Sequence, residues 1–163
     1  MKVYSRGPVF YKRARLGLHG KGFDLIKFRT MNEGSDQKKS GLRTQVFDNR
    51  ITNIGRALRK SYIDELPQFW NVFKGDMSIV GPRPLAVHHY ERDLQQGNVT
   101  RSLIKGGLIG LGHVQKGTPE MGEPIYEYEY IDQCLKRTSL GLLWLDLIII
   151  WRGFKVILQG KGL

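Results

Sequence analysis

A chain of 163 residues, 40% hydrophobic and 25% charged, holds enough apolar material to pack one domain and falls outside the disordered class. Its single Cys134 excludes an internal disulfide framework and fits a reducing cytoplasmic compartment, and the lack of a Cys/His cluster leaves no case for zinc. The net charge of +11 is confined to the first third: residues 1–60 carry 15 Lys/Arg against 4 Asp/Glu, while residues 61–163 carry 11 of each. A patch of that kind favours nucleic acid, anionic headgroups or a phosphorylated substrate, with a merely solvated basic surface as the alternative.

Residues Met1 to Arg6 contain no apolar run of the kind a signal peptide needs. Residues 8–28 predict a β-hairpin. Val9 to Leu16 alternates, with Phe10, Ala14 and Leu16 on one face and Tyr11, Arg13 and Arg15 on the other, and Phe23 to Phe28 forms the second strand. The glycine-containing loop 17–22 between them lacks the G-K-[ST] ending and following helix of a phosphate-binding loop, so it reads as a turn with His19 exposed. Residues 32–49 are polar and predict a mobile loop, a candidate to order over substrate.

Thr52 or Asn53 caps a predicted helix running to Tyr62, with Ile54, Ala57, Leu58 and Ser61 on one side and Arg56, Arg59 and Lys60 on another. Leu66 precedes a proline and is disfavoured from the α region, whereas Pro67 suits the first position of a new helix. Asp64 and Glu65 then fall at a helix junction, where unpaired N–H groups also attract anions. The glycine-dense stretch 106–112 predicts a turn or a close backbone approach, and residues 123–139, acidic and aromatic, predict a helix.

From Leu140 to Leu158, 14 of 19 residues are apolar, close to the ~20 that span a bilayer. Asp146, Arg152 and Lys155 interrupt the run, and an ionisable group at mid-membrane costs several kcal/mol. Trp144 and Trp151 stand one heptad apart, and such rings favour the headgroup zone. An interfacial or deeply packed helix is expected here rather than a span. Cys134, with nothing to mark it as a nucleophile, is expected to be a small buried hydrophobe. No repeat or linker divides the chain, so residues 1–163 are read as one domain.

The densest signal is Tyr62 to Pro84, Y-I-D-E-L-P-Q-F-W-N-V-F-K-G-D-M-S-I-V-G-P-R-P. It sets two adjacent carboxylates before a proline and ends in a stiff corner that carries a cation. Paired carboxylates beside fixed positive charge can hold a divalent metal and attack a phosphoanhydride. The plainer reading is an acidic helix end packed against Arg59 and Lys60.

Five segments in order, G-P-V-F-Y-K at 7–12, K-F-R-T-M at 27–31, D-x-R-I-T-x-I-G-R-x-L-R-K-S at 48–61, D-E-L-P-Q-x-W-N-V-F-K-G-D-M-S-I-V-G-P-R-P at 64–84 and L-D-L at 145–147, resemble the catalytic domain of the bacterial sugar transferases, the monotopic phosphoglycosyl transferases. The similarity covers nearly the whole chain and is dense from Gly7 to Pro84. It implies an α+β fold, mostly helical, with a small antiparallel hairpin and amphipathic helices at a membrane interface. It also implies an Asp-Glu dyad working with Mg²⁺, in which Asp64 attacks the β-phosphate of a UDP-sugar, expels UMP and carries the phosphosugar covalently. Polyprenyl phosphate then takes the phosphosugar, starting exopolysaccharide, capsule, O-antigen or glycoprotein glycan assembly.

Neighbouring residues on a helical turn point in different directions, so attack is assigned to Asp64, with Glu65 as metal ligand or orienter. Lys27, Arg29, Arg59 and Arg83 are candidates to hold phosphate oxygens through charge-assisted hydrogen bonds. For Lys27 and Arg29 the alternative is a solvated strand position. Asp146 is a further substrate-site candidate, because an acid in so apolar a segment needs a cation or the metal as partner. The implied partners are a UDP-sugar, polyprenyl phosphate and the cytoplasmic face of the bacterial inner membrane, with no nucleic acid.

Three features depart from the family pattern. Only six residues precede Gly7, where relatives usually carry a membrane-penetrating helical hairpin, so the expectation is a catalytic domain without that hairpin, either a truncated chain or one whose membrane attachment relies on the remaining amphipathic helices. The segment 106–117 reads G-G-L-I-G-L-G-H-V-Q-K-G, with His113 in place of the usual Gln and no terminal Arg, and this loop is a candidate reader of the sugar. The stretch between Tyr130 and Leu145 is longer than usual. Two competing readings are a nucleic-acid binder, for which the expected interleaving of aromatic and basic residues is missing, and an inactive membrane-associated scaffold.

Overall fold

Alternating side chains and a glycine-rich turn build the first element pair. The computed structural model describes residues 7–35, 48–114 and 125–159. Strand β1 (Phe10–Leu16) pairs antiparallel with β2 (Gly22–Phe28) in a register that sets Phe10 opposite Phe28 and Leu16 opposite Gly22. The hairpin is therefore where the alternation predicts it. His19 is exposed in the turn, in a left-handed conformation with φ 54°.

The alternation divides β1 into two faces, and the structure decides between them. Phe10, Lys12, Arg13 and Ala14 are exposed, whereas Tyr11, Arg15 and Leu16 are half-buried, and Phe10 finds its apolar contact by stacking on Phe28 with ring centroids 5.4 Å apart. Directly opposed residues share a face in an antiparallel pair, so Tyr11 lies with Lys27 and Arg13 with the buried Leu25. The inward face is the cationic one because the element it covers carries Glu65, which Lys27 meets. Crowding with Arg13 and Arg83, after burial itself, lowers the Arg15 guanidinium to about 10.

Helix α1 (Asn53–Lys60) starts on Thr52, whose hydroxyl accepts the Gly55 N–H at 2.9 Å, so Thr52 is the cap. A cap of this type is worth about 1 kcal/mol. Gly55 packs on the Thr30 backbone so closely that a Cβ there would lie 2.0 Å from the carbonyl oxygen. The helix ends before Tyr62, which adopts φ 57° and turns the chain into a 3-10 turn, Ile63–Glu65. Leu66 departs from expectation: it is helical at φ −52° and ψ −38° despite preceding proline. Its N–H donates to Ile63 and its carbonyl accepts from Phe69, and those bonds outweigh the local steric preference. Helix α2 (Gln68–Phe73) follows Pro67 directly.

The second sheet is a two-residue-register parallel ladder of β3 (Ser78–Val80) and β4 (Gly107–Ile109). Gly107 allows it: a Cβ there would meet the Gly81 nitrogen at 2.1 Å. The expected close backbone approach is present and is a strand. Helix α3 (Val87–Gln95) lies between these strands, followed by the short α4 (Leu111–Val114), α5 (Ile125–Lys136) and the 20-residue α6 (Ser139–Leu158). Of the predicted helix 123–139, residues 123–124 lie outside the described residues, as do residues 36–47 of the predicted mobile loop and 115–117 of the departing segment.

Val80, Tyr130 and Ile149 form the buried centre, flanked by partly buried Ile109, Leu111, Cys134 and Leu145. Cys134 is thus half-buried against the core, in a packing role. The fold is α+β and predominantly helical. Among the described residues no helix is long and apolar enough to cross a membrane.

Candidate active site

The left-handed Tyr62, a conformation that costs a non-glycine residue on the order of 1 kcal/mol, aims the carboxylates of the 3-10 turn in different directions. Asp64 is only 7% exposed. Glu65 reaches the hairpin, where Lys27 Nζ lies 2.5 Å from its Oε1, and the same oxygen faces Arg83 Nη2 at 3.4 Å. Arg59 donates through Nε to the Thr30 hydroxyl at 2.8 Å and acts on Asp64 through its charge. The predicted candidates Asp64, Glu65, Lys27, Arg59 and Arg83 are therefore assembled from four separate stretches of chain.

One buried residue holds the hairpin and α2 together. Asn71, 0% exposed, accepts the Ile26 N–H at 3.1 Å and donates to the Asp24 carbonyl at 2.8 Å and to Asp76 at 3.2 Å. Each bond ties α2 to β2 or to the turn after α2 through this one buried side chain, which fixes where the hairpin backbone stands against α2. The sequence offers no signal that singles out Asn71 from other polar helix residues.

The G-P-R-P corner is held just as firmly. Gly81 N–H donates to Ile109, Gly107 N–H to Pro82, and the Arg83 N–H to Glu127 Oε2 at 2.8 Å. Arg101 braces the other side, donating to the Arg83 carbonyl at 3.1 Å and standing 3.9 Å from Glu127. The Arg83 side chain itself is 52% exposed, with Nη1 3.2 Å from His113 Nε2. Glu127 and Arg101 are neighbours of the site that pattern reading does not assign, because their partners lie 18 to 44 residues away, whereas His113 belongs to the segment already singled out as a candidate reader of the sugar.

These surroundings drive the two carboxylates apart in acidity. Burial pushes Asp64 up, and the Glu65 charge adds to that, against the pull of Lys27 and Arg59. Burial would also raise Glu65, but Lys27 and Arg83 hold its carboxyl well below the usual range. Burial lowers Lys27, and Arg83 lowers it further. The Tyr62 hydroxyl is pushed up to about 12 by burial and by Glu65. Pairs of acids separated in this way mark a division of roles. Glu65 is a permanent anion that fixes cations, and Asp64 is the more basic oxygen.

Arg29 and Asp146 are placed differently. The Arg29 guanidinium lies against Gly7 near Glu33, and neither Arg29 nor Asp146 ranks among the charges acting most on the pair. Asp146 accepts the Tyr130 hydroxyl at 2.8 Å within the α5–α6 packing, so its partner is a phenol rather than a cation or metal. Burial and that bond raise the Tyr130 hydroxyl far above its ordinary value.

Among the described residues no three His, Cys, Asp or Glu side chains gather into a metal cage. Two adjacent carboxylates nevertheless suit Mg²⁺, which keeps several waters and takes one or two carboxylates plus substrate phosphate oxygens. The donor set fits a metal whose coordination is completed by substrate.

Outside the polar site, two apolar faces are exposed. On α6, Leu140, Leu143, Trp144, Leu147, Trp151, Phe154 and Leu158 form a heptad-spaced stripe, while Ile149, Gly153 and Val156 are buried. Lys155 stands over the Trp151 ring at 5.1 Å. On α2, Trp70 stacks with Phe73, which is 81% exposed, and Phe69 is exposed beside them.

A family model described as bacterial sugar transferase matches residues 1–160. The UDP-glucose:undecaprenyl-phosphate glucose-1-phosphate transferase of Klebsiella pneumoniae is 36% identical over 159 residues, covering 96% of this chain and 32% of that protein. The UDP-N-acetylgalactosamine-undecaprenyl-phosphate N-acetylgalactosaminephosphotransferase of Aeromonas hydrophila is 35% identical over 166 residues, covering 99% of this chain and 38% of that protein. The uncharacterized sugar transferase EpsL of Bacillus subtilis (strain 168) is 37% identical over 158 residues, covering 96% and 73%. The chain thus spans about a third of the first two relatives and about three-quarters of EpsL.

Proposed function

We propose, from the premise that this chain belongs to the bacterial sugar transferase family, that it performs sugar-1-phosphate transfer from a UDP-sugar to polyprenyl phosphate. The observation that carries the reading is the split between Asp64, buried and raised, and Glu65, clamped as an anion by Lys27 and Arg83. Asp64 is then the nucleophile. Its carboxylate oxygen bonds to the β-phosphorus of the donor, the bond from that phosphorus to the bridging oxygen breaks, and UMP leaves with the electron pair. A phosphate oxygen of polyprenyl phosphate next attacks the same phosphorus and returns the Asp64 carboxylate, leaving a polyprenyl diphosphosugar. Dividing the transfer through an acyl phosphate replaces one hard displacement by two easier ones.

Mg²⁺, which Asp64 and Glu65 would hold, supplies charge neutralisation of the diphosphate when bound. Glu65 keeps Lys27 and Arg83 at the mouth of the site, and Arg59, fixed on Thr30, offsets the charge that gathers around Asp64. Burial of Asp64 keeps water from competing for the acyl phosphate.

The acceptor chemistry motivates a place at the cytoplasmic face of the bacterial inner membrane, peripheral or monotopic. The exposed stripe on α6, with Trp144 and Trp151, suits the headgroup zone, and the cationic first third is drawn to anionic lipid. Intact mass spectrometry after incubation with Mg²⁺ and a panel of UDP-sugars tests the mechanism. A phosphosugar adduct that disappears in Asp64→Asn is expected. A folded protein that forms no adduct and releases no UMP with any donor overturns it.

A further inference from the structure

Cations gather round the carboxylate turn and its corner, and most of them are matched by an acid. Lys27 and Arg83 meet Glu65, Arg101 stands 3.9 Å from Glu127, and Arg50 holds Asp48 at 2.6 Å. Arg59 is fixed on Thr30 within the field of Asp64. Arg15 is different: among the described residues it belongs to no ion pair. Its guanidinium donates only to the carbonyl of its own neighbour Ala14, across 3.4 Å.

The position is not one that water simply solvates. Arg15 is half-buried on the face of β1 that carries Tyr11, directly opposite Phe23. The next residue, Leu16, donates its N–H to the Leu85 carbonyl at 3.3 Å, which ties the end of β1 to the chain just beyond G-P-R-P. That tie brings Arg15 into the neighbourhood of Arg83, whose Nη2 faces Glu65 on the catalytic side. Burial first, then Arg13 and Arg83, hold the Arg15 guanidinium down to about 10. A guanidinium carries five N–H donors, and keeping it half out of water beside like charges is unfavourable unless an anion joins it.

We propose that Arg15 is a phosphate-binding residue, forming with Arg83 a two-guanidinium seat for a phosphate group at the hairpin end of the active site. Two planar forks can engage separate oxygens of one phosphate through charge-assisted hydrogen bonds. The ligand class is a phosphate ester, and the nucleotide diphosphate and the prenyl monophosphate of the transfer proposed above both present one; the assignment rests on that reading.

Arg15→Met keeps the apolar stem and removes the charge. Arg13→Met makes the same change in net charge at an exposed position of the same face, and so controls for the general field. Calorimetric titration with UDP in Mg²⁺ buffer reads the donor arm, titration with a short-chain prenyl phosphate in detergent micelles reads the acceptor arm, and thermal melts report folding. Arg15→Met is expected to weaken binding in at least one arm roughly ten- to a hundredfold, the usual size of a lost hydrogen bond to a charged group. Its melting temperature is expected to match or exceed that of wild type, because crowding among three guanidinium groups is relieved. Arg13→Met is expected to stay within about threefold of wild type in both arms.

A loss with UDP alone assigns the seat to the donor phosphate, and a loss with prenyl phosphate alone assigns it to the acceptor. Losses in both arms mean that the two phosphates occupy it in turn. Unchanged affinity of Arg15→Met in both arms overturns the seat, as do equal losses in Arg13→Met, which mark a diffuse charge effect. A lowered melting temperature with a loss no larger than the unfolded fraction makes Arg15 structural and overturns it too, as does a folded wild type that binds neither ligand. The aspartyl mechanism keeps its own readout. Absence of any adduct beside an Arg15-dependent UDP affinity would sink the mechanism and leave the seat, whereas adduct formation with Arg15→Met at full affinity in both arms would do the reverse.

Discussion

The carboxylate turn and the outer face of α6 invert the usual arrangement of a water-soluble domain. At the turn, charged groups are tucked in: Asp64 is nearly buried and Glu65, Lys27 and Arg59 are largely covered. On α6, leucines and tryptophans face outward along the length of a 20-residue helix. Each placement would be costly by itself. Buried charges are tolerated where they are paired, which Lys27 and Arg83 do for Glu65. A contiguous exposed apolar stripe marks a surface meant for something other than water. The polar region is thus defined by internal partners, whereas the apolar stripe is left uncovered by the described residues.

The largest expected effect breaks the inner region chemically. Asp64→Asn preserves size and removes the attacking charge, and kcat for sugar-phosphate transfer should fall roughly 10³-fold or more. UMP release assayed with a competent UDP-sugar checks this, and a fall of less than tenfold would mean that another group attacks.

Next comes the scaffold of the same region. Asn71→Leu strands the Ile26 N–H and the Asp24 carbonyl without partners, each worth about 1–3 kcal/mol when buried. Urea unfolding should show a loss of about 2–4 kcal/mol. A loss under 1 kcal/mol would mean that the hairpin and α2 are held mainly by other contacts.

A third measurement separates the two carboxylates by pH. Asp64 attacks only when ionised, and burial raises its pKa, so activity must decline as pH falls through that raised value. Glu65, held below the usual range by Lys27 and Arg83, remains anionic across the same window and contributes no limb there. The acid limb of kcat/KM should therefore lie above the ordinary aspartate value of about 3.9 and fall about tenfold per pH unit. A limb at or below that value would contradict the effect of burial.

The smallest effect tests the outer region. Leu147→Ser on α6 removes apolar surface that no described neighbour covers fully, so stability should change by less than about 0.5 kcal/mol. Binding to anionic vesicles should weaken by about 1 kcal/mol, roughly fivefold. Equal co-sedimentation of variant and wild type would remove α6 from the membrane contact.

Legibility followed the range of the interactions. The hairpin, a cap at Thr52 or Asn53, the Pro67 start and the junction position of the acid pair depend on neighbours a few residues away and were readable, and the structure selects Thr52. The inward face of β1 was not, since Phe10 and Ala14 look like core residues until the carboxylate turn is set against the opposite face. The β3–β4 ladder has only two paired positions and pairs residues 29 apart in sequence, too short for a periodic signal. Helix α3 begins on Ala86 without a side-chain cap, which removes the usual start signal.

Asp146 shows the same limit at a site residue. An acid in an apolar run must find a partner, and that much followed from its neighbours; that the partner is the Tyr130 hydroxyl required α5 to be laid against α6. The amino-acid sequence by itself determined that two carboxylates would sit at a helix junction, that cations would gather in the first third, and that residues 140–158 would form an apolar helix, either interfacial or packed. Tertiary structure alone decided which cations meet Glu65, how deeply Asp64 is covered and how His113 is oriented. Caps, turns and periodicity are local properties of the chain, whereas acidity and hydrogen-bond pairing depend on what distant segments bring within a few ångströms.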